Sequence, residues 1–103
     1  MQDAPNPDAV FIELFVQGQS AQSNAALEMV SHICEARLQG RYQLEVVDIQ
    51  QQPEKTRDAG VMVAPVLIRR SPEPVLRTVG SFTEARVLQG LGLTERSVES
   101  GDV

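Results

Sequence analysis

The spacing of the first three apolar and amphipathic segments limits this chain's fold more than any other feature. Residues 10–16 (Val10-Phe11-Ile12-Glu13-Leu14-Phe15-Val16) are β-branched, aromatic and apolar at nearly every position. Such a pattern predicts a strand covered on both faces, in the middle of a sheet flanked by helices. Residues 20–38 repeat with a helical period. Ser23, Leu27, Val30, Cys34 and Leu38 form one stripe, Ala26, Met29 and Ile33 widen it, and Glu28, His32 and Glu35 fall on other faces. Residues 42–49 (Tyr42 to Ile49) then alternate before turning apolar, as a second strand. A crossover of this length joins parallel strands and is far too long for a hairpin. The first half of the chain therefore reads as a β-α-β unit.

Local signals punctuate the unit. Gly18 ends the first strand, Ser20 can cap the helix by accepting from a free backbone amide, and Gly40 suits a left-handed stop. Pro53 sits where a first-turn proline loses no needed donor, so a short helix is expected over 53–59, stopped by Gly60. Residues 61–68 form a third apolar run with Pro65 inside it, and a proline belongs at a strand's start or edge. Arg69-Arg70-Ser71-Pro72-Glu73-Pro74 reads as a turn, and residues 75–79 as a fourth strand paired antiparallel to the third. Gly80 breaks that strand. Ser81-Phe82-Thr83-Glu84 has the spacing of a capping box, with Ser81 as cap, opening a last helix through Val87, Leu88 and Leu91. The order β-α-β-α-β-β-α, with helices on both faces, describes an α/β thioredoxin-like fold. Residues 1–8 are expected to be a flexible tail, 9–93 a single domain and 94–103 a second flexible tail.

The residues that would carry chemistry in such a fold are missing. In the loop after the first strand, where a redox relative places Cys-x-x-Cys, this chain has Ser20-Ala21-Gln22-Ser23. A serine pair cannot cycle a disulfide, because the thiolate is the nucleophile of that exchange. The one cysteine, Cys34, lies on the apolar stripe and reads as a small core residue. The one histidine, His32, lies two to three turns from Ser23 and on the opposite face, which argues against serine–histidine catalysis. One Cys and one His also argue against a protein metal site, and no cofactor is expected. A net charge of −5 argues against sequence-independent nucleic-acid binding, although Arg69, Arg70, Arg77 and Arg86 leave room for a local basic patch facing an acidic partner. No apolar run reaches the roughly 18 residues of a membrane span. The acidic, proline-containing start lacks a signal peptide's basic and apolar regions, so a cytoplasmic location is expected.

Several stretches form an ordered set: Leu14-Phe15-Val16-Gln17-Gly18-Gln19-Ser20, with Ser23 at the helix start, Leu44-Glu45-Val46-Val47-Asp48-Ile49, and Ala64-Pro65-Val66-Leu67. The proline-broken Pro72-Glu73-Pro74-Val75, Val79-Gly80-Ser81, Glu84-Arg86-Val87-Leu88 and Gly90-Leu91 complete it. In this order they resemble the KaiB family of bacterial clock proteins. The resemblance spans about residues 10–93 and is shared by the KaiB-like sensor domain of the SasA histidine kinase. It implies a non-enzymatic protein that docks on a KaiC-like ATPase, with a KaiA-like protein or a histidine kinase as further partners. It also implies homo-oligomers (dimer or tetramer) and a metamorphic chain, with the thioredoxin-like form exchanging with the alternative KaiB tetramer fold. Pro65, Pro72, Pro74, Gly80 and Ser81 are then candidates for fold switching or partner binding, and Ser20 and Ser23 mark the vestigial Cys-x-x-Cys position. Where the family usually has Gly-Asp before the last helix, this chain has Gly80-Ser81. Two other readings stand beside this one: a detached sensor module for a histidine kinase, and a thioredoxin-like redox or glutathione-related protein using Cys34. Pro65 is itself expected to be a cis proline with a structural duty.

Overall fold

The computed structural model describes residues 9–80 and 82–93. The two expected tails and Ser81 lie outside the described residues. Seven elements follow in order: β1 (Val10–Val16), α1 (Ala21–Leu38), β2 (Tyr42–Asp48), α2 (Pro53–Asp58), β3 (Val66–Ser71), β4 (Leu76–Val79) and α3 (Glu84–Gly90). They form one four-stranded sheet in the order β2-β1-β3-β4. β1 runs parallel to β2, in register from Val10 opposite Tyr42 to Val16 opposite Asp48. β3 lies antiparallel to β1, and β4 antiparallel to β3.

The position of β1 between two neighbours explains its composition. Alternate residues point to opposite faces of a strand. Ile12, Leu14 and Val16 pack with Leu67 against α1 and α3, where Ala26, Val30, Ile33, Cys34, Leu38, Val87 and Leu91 complete the larger core. Phe15 points the other way, into a smaller core with Val47, Ala59, Val61, Val66 and Ile68 beside α2. Each fully buried Ile, Leu or Phe contributes roughly 1.5–3 kcal/mol relative to an exposed one. The edge strand β2 is largely half-buried, with Val47 alone fully covered, which accounts for its mixed pattern.

Ser20 caps α1 as expected, its hydroxyl accepting from the Ser23 amide at 3.1 Å. The chain leaves α1 through two residues of positive φ, Gln39 and Gly40. Pro53 occupies the first turn of α2, and the helix ends one residue sooner than expected, with Ala59 as its cap.

Two expectations are corrected. The third strand begins at Val66, immediately after the proline expected at a strand's start, but it does not turn after Ile68: it continues through Arg69, Arg70 and Ser71. In sequence those three residues run directly into Pro72-Glu73-Pro74 and read as part of the turn. Within the strand each arginine has partners: Arg70 reaches Glu13 on β1, and Arg69 reaches the Leu91 and Pro74 carbonyls. The second correction concerns α3, which begins at Glu84 with Thr83 as its cap: the Thr83 hydroxyl accepts from the Arg86 amide at 3.2 Å. The cap therefore lies two residues later than the capping-box spacing suggests. Gly90, the last residue of α3, is pressed against β4, where an added Cβ would come within 2.2 Å of the Thr78 hydroxyl.

Candidate functional site

The loop at the start of α1 is built for support. Besides Ser20's role as cap, the buried Ser23 hydroxyl accepts from the Gln17 amide at 2.9 Å and closes the β1–α1 connection. Both hydroxyls thus serve the backbone, and His32 is exposed further along the helix. Cys34 is fully buried. Burial, with a smaller contribution from the neighbouring Glu35 carboxylate, pushes its thiol from 9.0 up to about 11. At neutral pH it is a protonated thiol walled off from solvent, a poor nucleophile. Cys34 follows Ser20 by fourteen positions, roughly 21 Å of helical rise. Among the described residues no three His, Cys, Asp or Glu side chains gather as a metal site.

The candidate residues near the prolines divide into two places. Pro65 and Gly80 share a cleft of about 460 Å³ with Gln22, Ala25, Met29 and Phe82, beside the start of α1. Gly80 has a φ of 97°, a conformation open to glycine at little cost. Pro72 and Pro74 are exposed at the other end of the β3–β4 hairpin, beyond the six residues of β3, roughly 23 Å from Pro65 to Pro72 at the rise of a strand. The Ala64–Pro65, Ser71–Pro72 and Glu73–Pro74 bonds are all cis.

Beside the cleft lies the most exposed apolar surface among the described residues. Met62 is 90% accessible and Val63 57%, and Val79 on the free edge strand β4 is also exposed. Met62 and Val63 belong to the apolar run 61–68, whose composition reads as buried, and nothing local separates them from Val61, which is buried.

The four arginines do not converge on a basic patch. Arg69, only 8% exposed, lies under α3 and donates to the Leu91 carbonyl at 3.1 Å and the Pro74 carbonyl at 2.9 Å. Its Nε is buried with no partner, and burial lowers the pKa of the guanidinium. Arg70 donates to the Glu13 carboxylate at 2.7 Å. Arg77 donates to the Ala59 carbonyl and Arg86 to the Val79 carbonyl. On the α2 face, Glu13 is 5% exposed between Arg70 and Lys55, and Lys55 also pairs with Glu45 across the parallel strands. A signal for Arg69 existed in the period of two, which sets it on the same face as the core residue Leu67.

Among the described residues the candidate hydroxyls, thiol and arginines serve the fold, and Met62, Val63 and Val79 offer surface. Comparison with known proteins identifies the family. Residues 13–93 match the KaiB domain. The circadian clock protein KaiB3 of Synechocystis sp. is 29% identical over 91 residues, covering 87% of this chain and 89% of its own length. The circadian clock oscillator protein KaiB of Acaryochloris marina is 32% identical, covering 87% and 88%. Among solved structures, the N-terminal domain of Synechococcus elongatus SasA superposes with a TM-score of 0.69 at 17% identity, covering all of this chain and 96% of that domain. Chloroplastic thioredoxin z superposes at 0.68 and 18%, covering 91% and 81%. These two likenesses establish a thioredoxin-like fold, and the match over residues 13–93 establishes the rest: the chain belongs to the KaiB family.

Proposed function

We propose that this chain is a non-enzymatic regulatory protein that docks on a KaiC-type ATPase, in a circadian system or a signalling or stress system derived from one. The observation that carries this reading is the pairing of inert chemistry with available surface. At the position of a redox pair, both serine hydroxyls accept from backbone amides, while Met62 and Val63 beside the neighbouring cleft stand open to solvent. Exposed apolar side chains next to a free strand edge suit protein contact. The contact surface is the β4 edge with Met62, Val63 and Val79. Pro65, Pro72, Pro74, Gly80 and Ser81 are the positions at which a change of fold or of assembly would be controlled, with homo-oligomers as the resting state and a KaiA-like protein as a further partner.

Co-elution with the host's KaiC-type ATPase, with ATP or ADP, tests the proposal when sampled from minutes to a day. Complex that accumulates over hours indicates a conformational step before binding. Complex formed at once indicates that the thioredoxin-like form binds directly. No complex at any time removes the assignment. The full-length superposition on the SasA sensor domain favours one second reading, a detached sensor module for a histidine kinase. Complex with a kinase that lacks its own sensor, and none with the ATPase, would select it. The redox reading through Cys34 has the thiol's burial against it.

A further inference from the structure

α1 and α3 cover the same face of the sheet, and a valley runs along the outside of their junction. The cleft at Pro65 continues into a second one of about 510 Å³, the two sharing Ala25 and Met29 of α1. The α1 residues that line the pair are spaced at helical intervals: Gln22, Ala25, Met29 and then His32 and Ile33. From Gln22 to Ile33 the groove follows α1 for roughly 16 Å, the length of three helical turns. Its floor is apolar, with Phe82 at the start of α3 as the largest side chain. Glu28 and Glu84, both exposed, stand on its walls, one from each side.

We infer that this groove receives an amphipathic helix of a partner protein, with a small apolar face and flanking Lys or Arg. The apolar floor, formed by Ala25, Ala26, Met29 and Ile33 of α1 with Phe82, suits the apolar face of a helix laid along it, and the acidic walls select the sign of its flanks. Charge also decides against the other occupants. Residues 1–8 of this chain carry Asp3 and Asp8 and no basic side chain, and residues 94–103 carry Glu95, Glu99 and Asp102 against Arg96 alone. A second copy of this chain docked groove to groove would bring Glu28 and Glu84 against their own counterparts. The groove runs along the α1–α3 face and borders the Met62–Val63 surface only at its Pro65 end, and it does not depend on the identity of the ATPase partner.

The test uses a synthetic fourteen-residue helical peptide, with leucines at i, i+3, i+7 and i+11 and lysines on both flanks, and a twin carrying glutamates in place of the lysines. Amide shifts of the full chain are followed in NMR titrations. The lysine peptide is expected to move the amides of Ala25, Met29 and Glu84 and to bind at least about tenfold more tightly than its twin. Glu28→Lys with Glu84→Lys, both at exposed positions, is expected to reverse that preference. Glu54→Lys on the distant α2, which changes net charge by half as much, should leave it within about twofold. Equal binding of the two peptides, shifts centred elsewhere, or an unchanged preference in the double variant would overturn the inference. Movement of the same amides on raising the protein concentration alone would assign the groove to a second copy and overturn it as well.

Discussion

Arg69 holds three parts of the chain together from a buried position. It sits on β3, yet it donates to a carbonyl at the end of α3 and to one in the β3–β4 turn. Gly92, at a φ of 76°, leaves room for it: a Cβ there would fall 2.2 Å from the guanidinium. Arg69→Met removes the charge but strands two carbonyls, and should lower stability by about 2–4 kcal/mol in urea unfolding, while Arg69→Lys should recover little because one ammonium cannot reproduce the fork. A loss under 0.5 kcal/mol, on the order of an exposed substitution, would show that the clasp contributes nothing. Cys34 gives a pH prediction with a definite sign. Its thiol titrates near 11 in the folded chain against 9.0 ordinarily. Below pH 9 both states hold the proton and the thiol adds no pH dependence. Between 9 and 11 the unfolded chain releases the proton first, so stability falls as pH rises. The wild-type protein should therefore lose more stability than Cys34→Ala between pH 8 and 10.5, and parallel pH profiles would contradict the burial of this thiol. Tyr42, whose hydroxyl is also pushed up to about 12, first through its hydrogen bond to Glu35 and least through Cys34 itself, is present in both proteins and adds only a small difference between them.

At the scale of elements, what could be read in the sequence follows from how local each cause is. β1, α1 and β2 are set by period and length, and their limits agree with the structure to within a residue or so. The third strand is different. Its start is fixed by Pro65, which the sequence shows plainly. Its continuation through Arg69 and Arg70 depends on Glu13, fifty-seven residues away, and on carbonyls of elements later in the chain. No local pattern carries those partners. The cap of α3 was misplaced for a related reason: Ser81 and Thr83 both precede an acidic first turn, and local spacing alone chose the wrong one. Thr83→Ala should cost about 1 kcal/mol and Thr83→Asn much less, since asparagine also caps well. Equal losses in thermal unfolding would show that the Thr83 hydroxyl is not the group that matters.

The same distinction holds for the whole molecule and its site. The lack of a Cys-x-x-Cys pair was legible, because it is a matter of composition. The thioredoxin-like topology was legible from element order, and the likeness to the N-terminal domain of SasA supports it over the whole chain. The exposed apolar surface was not legible. Val61, Met62 and Val63 look alike in sequence, yet Val61 enters the smaller core while the next two face solvent, and the path of one short loop decides which. The candidate prolines also share one short stretch of sequence but occupy two ends of a hairpin. The central claim is that this protein acts through that surface and not through its thiol. The most direct test is the affinity of wild type, Cys34→Ala and Met62→Glu for the KaiC-type ATPase by calorimetry, with folding of each verified by circular dichroism. The account predicts that Cys34→Ala binds within about twofold of wild type, and that Met62→Glu binds at least about tenfold more weakly, as expected for a charge placed in an apolar contact. Loss of binding in a folded Cys34→Ala with Met62→Glu unaffected would contradict it.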